Sequence, residues 1–109
     1  MQDDCIFCKI IDKKIDAEVL YEDKDYIVFS DIHPSAEIHK LIVPKEHVKN
    51  LKEVSEDLWG KSSLVIQKII KDLMLDNFKI VVNNGDKLQM VKHLHIHLVS
   101  GKNINDKVN

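Results

Sequence analysis

Residues 89–99 read Gln89-Met90-Val91-Lys92-His93-Leu94-His95-Ile96-His97-Leu98-Val99, and the strict alternation from His93 onward predicts a strand over about Lys92 to Val99. Successive side chains of an extended strand point to opposite faces, so His93, His95 and His97 share one face while Leu94, Ile96 and Leu98 offer the other to a core. Working outward, Phe78 to Val82 reads as another strand and Asn83-Asn84-Gly85-Asp86 as a tight turn, so the two strands are expected to pair antiparallel. Ser55 fits a helix N-cap with Glu56 and Asp57 in the first turn, and Leu58, Val65, Ile66, Ile69, Ile70 and Leu73 recur at helical spacing, predicting one long amphipathic helix from Ser55 to about Met74. Nearer the start, VLYED and YIVFS between Val19 and Phe29 flank Lys24-Asp25 as a hairpin, and Lys40 to Val43 forms a third run ending at Pro44. The pattern is α+β: an antiparallel sheet of five strands with one long helix.

The chain of 109 residues has room for one domain, taken as residues 1–109 with a polar, frayed tail from about residue 102. At 44% apolar and 31% charged the composition is that of an ordinary globular protein, and a net charge of -2 argues against nucleic acid or an acidic membrane as a partner for the whole surface. Acids near the N-terminus where a signal peptide needs base, and no apolar run approaching the roughly 20 residues that span a bilayer, make the cytoplasm the expected location. In that reducing setting Cys5 and Cys8, two residues apart, point to metal binding or redox chemistry rather than a structural disulfide.

Imidazole serves nucleophilic attack, proton transfer and metal ligation alike. At about 3.3 Å per residue the Cα atoms of His93 and His97 lie about 13 Å apart in a straight strand, too far for one ion to take all three rings. The spacing fits better a row of imidazoles along a phosphate, the middle one attacking phosphorus while its neighbours stabilise charge and move protons. A neutral nucleophilic histidine must expose one nitrogen while the other donates a hydrogen bond, so an acceptor close to His95 is expected.

The string from Gln89 to Val99 resembles the signature of the histidine triad family, His-x-His-x-His-x-x with x apolar. The resemblance runs from Cys5 to about Gly101: CIFCKII looks like the family's short N-terminal helix, FSDIHPSAEIHKLIVPKEH its central strands and VVNNGD the turn before the triad. It looks most like the small branch that hydrolyses purine nucleoside phosphoramidates and related nucleotide adducts at the α-phosphate. The resemblance implies His95 as a nucleophile forming a nucleotidyl-histidine intermediate, His97 at the phosphate and leaving group, and His39 as a supporting fourth histidine. It implies Asp31 on the ribose hydroxyls, Phe7, Ile10, Phe29 and Ile32 around the base, and Asn83 and Gln89 near the phosphate. For Ile10 and Phe29 plain core packing is an equal reading.

Members with this cysteine pair look like zinc binders that add the histidine of a Pro-Lys-x-His segment and the first triad histidine, here His47 and His93. Zinc bound by Cys5, Cys8, His47 and His93 would be structural, with no metal required for the chemistry. His33 remains as a surface turn residue. The chain departs from many members in carrying Lys87-Leu88 where they have Gly-Gly and Met90 where they have Ser or Thr, which removes a hydroxyl able to bond the phosphate or leaving group. Cleavage of dinucleoside polyphosphates and a non-catalytic nucleotide-binding adaptor are the competing functions. The family resemblance also implies a homodimer, and an AMP-like purine nucleotide as the small-molecule partner.

Overall fold

The structure, a computed structural model, describes residues 4–102 and 104. Seven elements follow in order: α1 (Ile6–Ile11), β1 (Val19–Glu22), β2 (Tyr26–Ser30), β3 (Ile38–Pro44), α2 (Glu56–Asp72), β4 (Phe78–Val81) and β5 (Ile96–Ser100). The strands form one antiparallel sheet in the order β1-β2-β3-β5-β4. This is the expected α+β architecture, five antiparallel strands with a long and a short helix. Apart from Lys102 and Ile104, the polar tail lies outside the described residues.

Local chemistry explains the boundaries. Asp23 closes the β1–β2 hairpin by accepting the backbone N–H groups of Asp25 and Tyr26, each at 2.7 Å, on Oδ1. The Ser55 side chain caps α2 by accepting the Leu58 N–H at 3.1 Å, and Glu56 and Asp57 occupy the first turn. Leu58, Ser62, Val65 and Ile69 form its buried stripe, while Ile66, Ile70 and Leu73 are only partly covered. Ser62 enters that stripe because its hydroxyl donates to the Trp59 carbonyl at 2.6 Å, which satisfies the polar atom inside the helix.

The sheet separates two cores. On one face α2 packs over Tyr26, Val28, Ile42, Ile96 and Leu98. On the other, α1 lays Phe7, Cys8 and Ile10 against Ile27, Phe29, Leu41 and Val43. His97 stands opposite Leu41 in the β3–β5 register and so belongs to the α1 face. No helix among the described residues is long and apolar enough to cross a membrane.

One local expectation is corrected. The strand predicted over about Lys92 to Val99 begins only at Ile96, and the tight turn expected after Val82 is a long connection spanning residues 82–95. The β3–β5 pairing ends at Ile42 and Ile96 although β3 itself runs on to Pro44, which has no N–H to add to a ladder. Isolated hydrogen bonds hold the segment instead, among them Leu94 N–H to the Val48 carbonyl at 2.8 Å.

Candidate functional site

His39 on β3 and His97 on β5 are buried on the α1 face, with His39 Nε2 lying 2.9 Å from His97 Nδ1. The Ser35 backbone N–H donates to His39 Nδ1 at 2.9 Å, so that nitrogen carries the lone pair and the neutral ring holds its proton on Nε2. His39 therefore donates to His97 Nδ1, and the proton of neutral His97 sits on Nε2. His95 takes the opposite tautomer. Its Nδ1 is 2.7 Å from the His93 carbonyl oxygen, which can only accept, so Nδ1 carries the hydrogen and Nε2 the lone pair. This carbonyl is the acceptor anticipated for a nucleophilic His95. The His95 and His97 rings are 4.9 Å apart, so two adjacent imidazoles present a lone pair and an N–H respectively.

Asp31 turns back toward this group. Its Oδ2 lies 3.5 Å from His39 Nε2, and its Oδ1 accepts the His33 N–H at 2.8 Å. Burial holds His39 below the ordinary histidine pKa, with the Asp31 charge opposing and His95 adding to the effect. A group with a lowered folded pKa contributes stability that is fully present above its unfolded value and is lost as pH falls toward the folded one. The unfolding free energy is expected to decline as pH drops below about 6.5, with less decline in His39→Gln. The imidazole nitrogen shifts of His39 should be those of a neutral ring at about pH 6.5; a ring mostly protonated there would contradict the assignment.

The second cluster lies where α1, the turn after β3 and the segment before β5 meet. Cys5 Sγ is 3.4 Å from His93 Nδ1, Cys8 Sγ is 3.2 Å from His47 Nδ1 and 3.6 Å from His93 Nδ1, and all four donor atoms fall within 4.8 Å of one another. Tetrahedral zinc with bonds of about 2.3 Å to sulfur and about 2.0–2.1 Å to nitrogen gives sulfur–nitrogen edges of roughly 3.5 Å, so the donor set fits that ion. His93 Nε2 donates to the Pro44 carbonyl at 2.8 Å, which leaves the lone pair on the nitrogen facing the cysteines. Burial pushes His93 down to about 4, with the Pro44 hydrogen bond opposing, so its ring is neutral and ready to ligate. Asp31, His39 and His97 also bring donor atoms within 4.8 Å of one another, but there the His39 proton fills the space between the rings as a hydrogen bond.

The remaining sequence-derived residues are distributed unevenly. Phe7, Ile10 and Phe29 are buried on the α1 face, where the Phe7 ring meets Phe29, His93 and His95 edge-on at centroid distances of 5.5, 5.9 and 5.0 Å. Ile32 is 75% exposed, Asn83 is half-buried just after β4, and His33 is exposed beside Pro34. Gln89 is buried with its amide taken up by the loop: Oε1 accepts the Gly85 N–H at 2.9 Å, and Nε2 donates to the Lys49 and Val91 carbonyls at 2.8 and 3.2 Å. Gly85, at φ +109°, starts this turn in a conformation that favours glycine. The Lys87-Leu88 pair and Met90 project outward, Leu88 and Met90 being 62% and 72% exposed. Sequence reasoning missed Ser35 and the carbonyls of Pro44, Val48 and His93, because each acts through backbone atoms that no side-chain pattern marks.

Fold and site together define an α+β protein with a buried imidazole row beside a Cys2His2 cluster. The HIT domain family matches residues 12–104, and the chain belongs to that family. The match covers the imidazole row but not Cys5 or Cys8. Protein HitA of Neisseria gonorrhoeae is 42% identical over 102 residues, 89% of this chain and 95% of its own. A HIT family hydrolase from Clostridium thermocellum superposes with a TM-score of 0.88 at 34% identity, covering 100% of both chains. A histidine triad nucleotide-binding protein from Candida albicans gives 0.82 at 38% identity, covering 86% of this chain and 72% of its own. A zinc-bound histidine triad family protein from Mycobacterium smegmatis gives 0.82 at 29% identity, covering 96% and 80%.

Proposed function

We propose that this HIT protein is a nucleotide hydrolase or transferase acting at the α-phosphate of purine nucleotide adducts such as adenosine phosphoramidates, through a nucleotidyl group on His95. The observation that carries the reading is the pair of opposite tautomers: His95 with its lone pair on Nε2 beside His97 with its proton there. The hydrolase and nucleotide-binding relatives support the class.

In the first step His95 Nε2 bonds to phosphorus and the phosphorus–nitrogen bond to the amine breaks, the departing nitrogen taking up one proton delivered at His97 Nε2. In the second step water attacks phosphorus, returns one proton to that nitrogen and releases His95 as AMP forms. His39 acts as a positioning residue that holds His97 in its tautomer. Asp31 is assigned to the ribose hydroxyls, with the exposed Ile32 toward the base and Phe7, Ile10 and Phe29 supporting them by packing. Asn83 is assigned to the phosphate region, where Gln89 acts by holding the turn from Gly85. Zinc on Cys5, Cys8, His47 and His93 is structural in this reading, since four protein donors leave no open position for substrate.

Incubation with an adenosine phosphoramidate is expected to release AMP, and rapid acid quench to leave a nucleotidyl group on His95 detectable by peptide mass. Faster turnover of a dinucleoside polyphosphate would move the assignment to that substrate class; nucleotide binding with no AMP from either would favour an adaptor. Met90→Ser supplies the hydroxyl that the family resemblance implies at this position and is expected to raise kcat on the phosphoramidate about tenfold, the scale of one hydrogen bond to a charged group. An unchanged kcat would show that Met90 leaves no deficit. In the same reading the protein works as a homodimer in the cytoplasm, to be checked by light-scattering measurement of its mass in solution and by cell fractionation.

A further inference from the structure

The residue that carries the proposed nucleophile is not part of the sheet. β5 begins at Ile96, so His95 lies one residue before the ladder, in a segment fixed by few bonds. His93 connects to it directly, its carbonyl accepting the His95 Nδ1 hydrogen at 2.7 Å. The same His93 turns Nδ1 to within 3.4 Å of Cys5 Sγ and 3.6 Å of Cys8 Sγ, and is held from behind by the Pro44 carbonyl. The other anchors of the segment also come from elements that supply cluster ligands. Leu94 donates to the carbonyl of Val48, next to His47, and Phe7, next to Cys8, packs its ring against His93 and His95.

Two contacts of the His95 ring, the His93 carbonyl and the Phe7 ring, therefore lie in or next to a residue of the Cys2His2 cluster, and the third, the His97 ring, comes from β5. A cross-link at that cluster would hold α1, the turn after Pro44 and the His93 backbone in one geometry, and so fix where His95 Nε2 points. We infer that the metal cluster of Cys5, Cys8, His47 and His93 is the positioning device for the nucleophile, so that metal occupancy sets the rate of attack by His95 as well as anchoring the N-terminal helix. The inference rests on the function proposed above. His93 is on this account a positioning residue acting through its carbonyl, and the ring of Phe7 is its second support.

The test compares zinc-loaded protein, the same protein after chelation, and two variants of one ligand. Chelation and His47→Ala are expected to lower kcat on the phosphoramidate about 10- to 100-fold, the usual cost of disturbing groups that orient a site, while AMP affinity changes far less. His47→Cys keeps four ligands and is expected to bind zinc and retain kcat. Long-range proton–nitrogen spectra should show the His95 Nδ1 hydrogen protected from solvent exchange in the loaded protein and in His47→Cys, and exchanging fast in the other two. Restoring zinc to the chelated protein should bring back both the signal and the rate.

An unchanged kcat and an unchanged Nδ1 signal after metal removal, in protein that is still folded by circular dichroism, would overturn the inference while leaving the hydrolase reading intact. If zinc-loaded protein released no AMP at all, the function would fail first. In that case the exchange of the Nδ1 hydrogen would still report whether the cluster holds His95.

Discussion

His95→Ala is expected to release AMP from an adenosine phosphoramidate about 10^4-fold or more slowly than the unsubstituted chain, since removal of a covalent nucleophile leaves only the contribution of binding and charge stabilisation. The ring is 3% exposed, touches Phe7 and His97, and engages the His93 carbonyl, so its loss also leaves a small cavity and an unsatisfied acceptor. Those costs are on the order of 1–3 kcal/mol and do not unfold a domain with two packed cores. His95→Asn separates the effects, because its amide can still donate to that carbonyl but offers no nucleophilic nitrogen. Both variants should keep the circular dichroism of the parent and lose turnover together. Turnover undiminished in either one would remove His95 from the mechanism, and with it the nucleotidyl-histidine intermediate.

Cys8→Ser should reduce bound zinc from about one ion per chain to a small fraction of that and lower Tm by roughly 10 °C or more. Cys8 is 1% exposed, and its sulfur lies 3.2 Å from His47 Nδ1 and 3.6 Å from His93 Nδ1, so it contacts both histidine ligands directly. Serine supplies a hydroxyl that stays protonated and is a poor ligand for zinc, leaving Cys5, His47 and His93 as an incomplete set. α1 keeps Phe7 and Ile10 in the core on its side of the sheet, so what is lost is the cross-link rather than the helix itself. Metal analysis of protein purified without added zinc, with thermal melts before and after chelation, measures both effects. A parent chain that carries no metal and melts at the same temperature with and without chelator would sink the structural role.

The elements themselves were legible where one local rule dominates. Ser55 with Glu56 and Asp57 marks the start of α2, Lys24-Asp25 between two β-rich runs marks the hairpin, and apolar spacing marks the face of α2 that meets the sheet. The boundary of β5 was not legible. Alternation from His93 to Val99 satisfies a strand along its whole length, and only the partners met across the fold, Ile42 opposite Ile96 and the Val48 carbonyl for the Leu94 N–H, decide where the ladder stops. Ser62 was missed for a related reason, since a serine reads as solvent-facing until its hydroxyl is seen bonded within the helix.

The site divides in the same way. By itself the sequence determined the chemical inventory: three alternating histidines, a fourth upstream, a Cys-x-x-Cys pair, and a family resemblance that joins His47 and His93 to the cysteines. Those are properties of side-chain type and spacing. Only the tertiary structure decided which nitrogen of each ring holds the proton, because Ser35, Pro44 and His93 act there through backbone groups that every residue carries. It also decided that Gln89 spends its amide on the loop, and that the first two histidines of the row leave the sheet and depend on α1 and the turn after β3. Tautomer and support come from which atoms meet across the fold, and contacts over such sequence distances leave no periodic trace in the chain.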